Sequence, residues 1–186
     1  MENIEEFSST VNKKNRTRRK VIIVSAAIVI IIFVFELFLY ISDYKQDWYS
    51  EDGKVSVHLP KGWHVVDLKP DKTSLMKGQS MGRASLLIGR VPMNTNFDGF
   101  VKMWRDCLST DDRISTFSEE QDCSVSGHQA KKFSYVITNN GEVYKKYLYI
   151  LRAVDYDYAI DFCFYEDDVQ KYLDDIDTIL SNIYIE

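Results

Sequence analysis

The sequence predicts an α+β domain, an antiparallel sheet flanked by helices, preceded by one N-terminal transmembrane helix. Three observations lead to this prediction: a long apolar stretch near the N-terminus, a series of strand patterns joined by turns, and two segments with apolar residues at helical spacing. We expect four parts: a basic tail over residues 1–20, a signal anchor over 21–41, a juxtamembrane linker over 42–53 and a folded domain over 54–186.

The apolar stretch, VIIVSAAIVIIIFVFELFLYI, runs from Val21 to Ile41. As a helix rising about 1.5 Å per residue it would cover about 31 Å, enough to cross the hydrocarbon layer of a bilayer. It is apolar on all sides, which is typical of a membrane span rather than of a helix in a soluble core. Its one formal charge, Glu36, lies near the outer end, where it either snorkels to the surface or contacts another membrane helix.

The charges on the two sides of the apolar stretch predict its orientation. A purely basic flank precedes it: Lys13, Lys14, Arg16, Arg18, Arg19 and Lys20. Residues 42–54, which follow it, carry more acidic than basic side chains. Because segments rich in Lys and Arg stay in the cytoplasm, we expect a cytoplasmic N-terminus and an extracytoplasmic C-terminal domain at the cell membrane. The basic flank should also contact the anionic inner leaflet.

The folded domain should begin with two strands around the turn residues Pro60-Lys61-Gly62. Further strands are predicted over residues 73–77, 83–93, 114–119, 129–138, 142–154 and 158–165, with a short one ending near Ser126. Asn140-Gly141 predicts a tight hairpin turn, because both residues accept positive φ angles. The last three strands should therefore form an antiparallel meander.

Two helices are predicted from apolar residues that repeat every three or four positions, over residues 96–109 and 167–182. We expect both helices to cover the apolar face of the sheet. The acidic residues Glu166, Asp167 and Asp168 should cap the second helix at its positive end.

Several segments of this domain resemble the PsbP-like superfamily: VSVHLPKGW, the helix over 96–109, SGHQAKKFSYVITNNGEVYKKYLYIL and the closing TILSNI. The superfamily includes PsbP, an extrinsic photosystem subunit, and many short bacterial proteins anchored to membranes. The resemblance covers residues 50–186 and rests on core and turn residues, so it implies mainly a fold. It also implies an extracytoplasmic accessory or binding domain, a class that usually lacks enzymatic activity.

No pattern in the sequence predicts a metal, cofactor or catalytic site. The histidines His58, His64 and His128 lack the close spacing of zinc ligands. The acidic residues Asp155, Asp157 and Asp161 lack the glycine and the distal glutamate of a calcium loop. The segment Ser126-Gly127-His128 lacks the strand and helix that expose a catalytic serine.

Three cysteines, Cys107, Cys123 and Cys163, lie in the domain expected outside the cytoplasm, where disulfides persist. Cys163 is expected as a buried strand residue, whereas Cys107 ends a helix and Cys123 begins a strand. A Cys107–Cys123 disulfide is therefore possible, and three reduced thiols are the alternative.

Composition narrows the class of partner. Residues 46–186 carry 16 Lys and Arg against 23 Asp and Glu, a net charge of −7, which argues against a nucleic-acid-binding surface. We therefore expect a membrane-anchored binding or accessory domain that recruits or stabilises a surface protein partner. The alternatives are a small-molecule or metal-ion binding domain, or an unrecognised hydrolase.

A set of tyrosines on the last strands either packs the sheet or forms a contact surface: Tyr135, Tyr144, Tyr147, Tyr149, Tyr156, Tyr158 and Tyr165.

Overall fold

The computed structural model describes residues 28–34, 46–66, 73–80, 83–93 and 96–186. Residues 28–34 are helical and belong to a unit, Met1–Tyr44, that is separate from the compact unit Lys45–Glu186. The basic flank, Glu36 and both ends of the predicted anchor, Val21 and Ile41, lie outside the described residues. Within the described ranges, no helix is long and apolar enough to cross a membrane.

The compact unit is an α+β domain with antiparallel strands, as the sequence predicts. Its strands are β1 (Asp47–Tyr49), β2 (Val55–His58), β3 (Trp63–Val66), β4 (Ser74–Ser80), β5 (Ala84–Pro92), β6 (Ile114–Phe117), β7 (Gln121–Val125), β8 (His128–Asn139), β9 (Glu142–Arg152), β10 (Tyr156–Tyr165) and β11 (Ile183–Ile185). Its helices are α1 (Phe97–Ser109) and α2 (Val169–Ser181), the latter preceded by a 3-10 turn over Glu166–Asp168. The strands form a three-stranded sheet, β1-β2-β11, and an eight-stranded sheet, β3-β4-β5-β10-β9-β8-β6, in which β7 also pairs with β8.

The predicted meander forms the centre of the large sheet. Asn140 and Gly141 have φ angles of 51° and 83°, so the hairpin turn between β8 and β9 is confirmed. β10 pairs with β9 along its whole length and with β5 on its other side. The long β8, β9 and β10 therefore fix the register of the neighbouring strands.

Helix α1 begins where the sequence predicts. The side chain of Asn96 accepts a hydrogen bond from the Gly99 backbone N–H at 2.6 Å, which caps the helix. The predicted apolar face is also confirmed, because a set of five α1 residues packs on one face of the large sheet: Phe97, Phe100, Val101, Trp104 and Leu108.

The two helices lie on opposite faces of the large sheet, whereas the sequence analysis expected both on one apolar face. On β9, Leu148 and Ile150 pack against the α1 side, and Tyr149 and Leu151 face the other side. That second side is covered by the α2 residues Tyr172, Ile176 and Ile179 together with the small sheet. The prediction that both helices share one face was wrong because the central strands are apolar on both faces. Each apolar face must be buried by other elements.

The small sheet corrects three further expectations. The predicted linker over 42–53 contains strand β1, and its Trp48 packs on the core. Ile183 belongs to β11 rather than to the last helix. β2 does not pair with β3, because the turn at Gly62, with φ of 91°, carries the chain from the small sheet to the large one. β1 and β11 are three residues long, too short to give a recognisable alternating pattern.

The acidic start of α2 does not cap the helix. Asp168 makes no side-chain hydrogen bond to the helix N–H groups, and its carboxylate pairs instead with the guanidinium of Arg83. The prediction overlooked a cation that lies 85 residues earlier in the chain and is brought to the helix by the sheet.

Candidate functional site

The three histidines lie in separate parts of the domain. His58 Nδ1 lies 2.7 Å from Asp47 Oδ1 on the exposed surface. His64 is half-buried on β3. His128 Nε2 donates to the Ile185 carbonyl oxygen at 3.0 Å. Among the residues that the structure describes, no group of three or more His, Cys, Asp or Glu side chains is placed to hold a metal ion.

Ser126 and Gly127 form the tight turn between β7 and β8, with φ angles of 52° and 79°. The Ser126 hydroxyl accepts a hydrogen bond from the Ile185 backbone N–H at 2.9 Å. Since His128 binds the carbonyl of the same residue, Ser126 and His128 together fasten β11 to this turn. Their geometry accounts for both side chains as structural contacts.

The three aspartates that faintly suggest a calcium loop each have a cation of their own. Asp155 pairs with Lys54, whereas Asp157 is buried and accepts two hydrogen bonds from Arg152 at 2.6 and 2.7 Å. Asp161 accepts from Lys146 Nζ at 2.5 Å. The three carboxylates thus bind side chains in three different places.

Cys107, Cys123 and Cys163 are free thiols, so the predicted Cys107–Cys123 disulfide is not formed in this structure. Cys107 is exposed on α1, which covers one face of the large sheet. Cys123 packs against the core on the opposite face. The alternation of β7 turns Cys123 away from α1, which proximity along the chain could not reveal.

Tyrosines on the last strands pack within the sheet and against one another. Three of the seven are buried, namely Tyr135, Tyr149 and Tyr158. Tyr144, Tyr147, Tyr156 and Tyr165 are half-buried, and each lies against another aromatic ring. These ring contacts and this burial agree with the packing interpretation of the residues.

A partly buried polar cluster on the α1 side of the large sheet was missed by the sequence analysis. It consists of Tyr135, Lys146, Asp161 and Cys163, and the Lys146 ammonium lies 5.7 Å from the Tyr135 ring centroid. A charged residue within a strand pattern is normally assigned to the solvent-facing side of the strand. The sequence therefore gives no signal that Lys146 and Asp161 are partly buried. Only the pairing of β9 with β10 brings Lys146 and Asp161 together.

Burial dominates the electrostatics of this cluster. Burial raises the pKa of Tyr135 to about 12. It also raises the pKa of the Asp161 carboxyl, which the Lys146 ammonium opposes. Burial lowers the pKa of Lys146, but the negative charge of Asp161 raises it, and the pKa of Lys146 is raised overall. Burial raises the pKa of the Cys163 thiol, which disfavours the thiolate that a nucleophile or metal ligand requires.

A groove of about 750 Å³ lies between α1 and β6 and opens to solvent. Four of its charged side chains pair with one another, Lys102 with Asp106 at 2.9 Å and Arg105 with Glu120 at 3.5 Å. Because these charges are exposed and already paired, the groove offers a weak basis for a specific ligand site.

Two exposed tyrosines stand out on the outer face of the small sheet. Tyr49 on β1 and Tyr184 on β11 both lie opposite Ser56 of the central strand β2. Tyr49 is 71% exposed and Tyr184 54% exposed, whereas their neighbours Trp48, Ile183 and Ile185 point into the core. Adjacent strands lie about 4.8 Å apart, so the two tyrosines form a row about 10 Å wide with a small residue between them.

The pair His58–Asp47 continues this row on the same face of β1 and β2. We call the five residues the tyrosine face: Asp47, Tyr49, Ser56, His58 and Tyr184. Tyrosine is enriched at protein interfaces because its ring offers apolar contact area and its hydroxyl a hydrogen bond. The tyrosine face therefore presents exposed aromatic and polar groups of the kind found at protein interfaces.

Comparisons by sequence find no match for this chain, whereas comparisons by structure do. No family model matches the sequence, and no curated protein matches it. Solved structures do match, among them cyanobacterial PsbP (CyanoP) from Synechocystis, with a TM-score of 0.57 and 13% identity over 77% of this chain and 94% of that chain. LpqN of Mycobacterium tuberculosis, described as involved in cell envelope biogenesis, matches with a TM-score of 0.58 and 8% identity, covering 75% of this chain and 88% of that one.

A protein from Bacteroides thetaiotaomicron is similar as well, with a TM-score of 0.53 and 12% identity over 77% of this chain and 49% of that chain. Identities this low carry information on the fold alone, and on that level the resemblance seen in the sequence is confirmed. The chain has a PsbP-like fold.

Proposed function

We propose that this protein is a membrane-anchored, non-enzymatic binding domain that acts outside the cytoplasm and recruits or stabilises a protein partner at the cell surface. The observation that carries the proposal is the tyrosine face, where Tyr49 and Tyr184 are exposed on a sheet whose other face is core. A large exposed aromatic pair on a rigid sheet is typical of contact surfaces.

The helical residues 28–34 support the anchor. All seven side chains, from Ile28 to Val34, are apolar, and each is between 52% and 67% exposed. A soluble surface rarely shows so many contiguous apolar side chains, whereas lipid would cover them. The basic flank on one side and the acidic residues on the other favour a cytoplasmic N-terminus.

The short connection to the domain favours a partner that lies in or close to the membrane. Five residues, 42–46, separate the end of the proposed anchor from β1. Such a segment spans at most about 17 Å when fully extended. We therefore propose membrane proteins or envelope components as the partners of the tyrosine face. The similarity in fold to LpqN fits a role in the cell envelope.

Site-specific photocrosslinking in intact membranes tests the proposal. Benzoyl-phenylalanine at position 184 should give one discrete crosslinked product, because the Tyr184 ring would lie in the interface. The same group at Lys102, whose side chain is 76% exposed on α1, serves as the control and should give none. The product at position 184 should weaken at least fivefold with Tyr49→Ser. Equal crosslinking from both positions, or a product insensitive to Tyr49→Ser, would contradict the proposed interface.

A further inference from the structure

A second concave site lies on the α1 side of the large sheet, between α1 and the strands β5 and β10. This cleft has a volume of about 300 Å³. Its walls are mainly apolar and include Leu87, Val91, Phe100, Met103, Trp104 and Ala159. Small-molecule sites in proteins are typically apolar clefts of about 300–1,000 Å³ with a few polar groups that orient the ligand. The cleft matches the lower end of that range.

Two polar atoms of the cleft residues are buried without a hydrogen bond. Within the described residues, the indole N–H of Trp104 has no acceptor, and Oδ1 of Asp161 has no donor. Both residues line the cleft. An unsatisfied buried polar group costs about 1–3 kcal/mol, so native proteins seldom keep two of them in one cleft without a reason. A bound group that accepts from Trp104 and donates to Asp161 would satisfy both.

The charges around the cleft are already balanced. Asp161 Oδ2 is bound by Lys146, and Asp157 by Arg152. Arg90, which also lines the cleft, pairs with Asp52 at 2.6 Å. An anionic ligand would meet the carboxylate of Asp161, and a cationic one would compete with Lys146. A charged ligand would thus enter a buried site without a counter-ion of its own, which is costly.

We propose that this cleft binds a small neutral amphipathic molecule, whose apolar body packs on Phe100 and Met103 and whose amide group joins Trp104 to Asp161. An amide is the simplest neutral group that offers an N–H donor beside a carbonyl acceptor. The indole N–H donates to the ligand carbonyl, and the ligand N–H donates to Asp161 Oδ1. This site is independent of the tyrosine face, which lies on the small sheet across the core.

The test uses the full-length chain in lipid nanodiscs and three matched probes: 3-(4-fluorophenyl)propanamide, the corresponding carboxylate and the corresponding primary amine. Fluorine NMR titration measures the affinity of each probe, with empty nanodiscs correcting for partition into lipid. The amide should bind saturably and at least tenfold more tightly than the acid or the amine. Equal affinity for the three probes, or no saturable binding of the amide, would overturn the proposal.

Two variants separate the hydrogen bond from general packing. Trp104→Phe keeps an aromatic ring and removes the N–H, so it should weaken amide binding about tenfold, whereas Trp48→Phe in the small sheet should not. Nitrogen-15 labelling of the indoles provides a second readout. The amide should shift the Trp104 N–H signal. The N–H signal of Trp63 should stay unchanged, because that group already donates to Asp175 at 2.8 Å. Unchanged affinity in Trp104→Phe with an intact Trp63 signal would refute the assigned contact.

Discussion

At the scale of single residues, charged side chains tie the small sheet to the large one. Asp52 in the loop before β2 accepts from the Ser50 hydroxyl at 2.6 Å and from Arg90 of β5 at 2.6 Å. Arg90 also lies 4.4 Å from the ring centroid of Tyr156. These contacts, the Ser50 hydroxyl foremost, lower the pKa of Asp52 to about 2. The carboxylate is therefore a link between the sheets that depends on its charge.

This link predicts a specific pH dependence of stability. A carboxyl whose pKa is lower in the folded than in the unfolded state stabilises the fold above the unfolded value and loses this effect as pH falls. Asp52 should thus contribute fully above about pH 4, and its contribution should fade as the pH drops to about 2. We expect Asp52→Asn to be less stable than wild type at pH 7 and to approach it at pH 2.

Urea unfolding of the chain from Lys45 onward, measured at several pH values, checks this expectation. Ser50→Ala removes the hydroxyl and leaves the carboxylate, so its pH dependence should be weaker than that of wild type. Unfolding free energies of wild type and Asp52→Asn that run parallel between pH 7 and pH 2 would show that the charge of Asp52 does not couple to folding.

At the scale of elements, the helices and most strands could be predicted, whereas the two strands of three residues, β1 and β11, could not. The hairpin at Asn140-Gly141 and the apolar face of α1 are local signals of turn chemistry and periodicity, so both were predictable. β1 and β11 contain three residues each and are defined only by pairing with β2. The tyrosine face arises from that pairing, and so do the contacts of Ser126 and His128 with β11. None of these could be read from local sequence.

The three residues of β1 should be part of the folding unit. A chain that starts at Lys45 keeps β1 and Trp48, whereas a chain that starts at Ser50 loses both. Because Trp48 packs on the core and is half-buried, its loss together with three strand residues should destabilise the shorter chain by about 1–3 kcal/mol. Thermal and urea unfolding of the two chains measures this difference. Equal stability would mean that β1 contributes nothing to the domain.

At the scale of the whole molecule, the proposed protein consists of an apolar anchor, a short connection and a domain with two different surfaces. The tyrosine face lies on the small sheet near the connection, and the cleft lies across the core beside α1. The proposed partner at the cell surface requires the domain to lie outside the cytoplasm, whereas the cleft could bind a small molecule on either side of the membrane. The proposed function therefore depends on the orientation of the chain in the membrane.

Cys107 offers a native reporter of this orientation. It is exposed on α1, and no cysteine precedes it in the sequence. Cys123 and Cys163 are half-buried, and burial raises the pKa of both thiols, so they should react more slowly. A membrane-impermeant maleimide added to intact cells should modify Cys107, and the modified chain should remain in the alkali-washed membrane fraction. Cys107→Ser should abolish the rapid modification. Modification of Cys107 only after the membrane is permeabilised would place the domain in the cytoplasm and contradict the account.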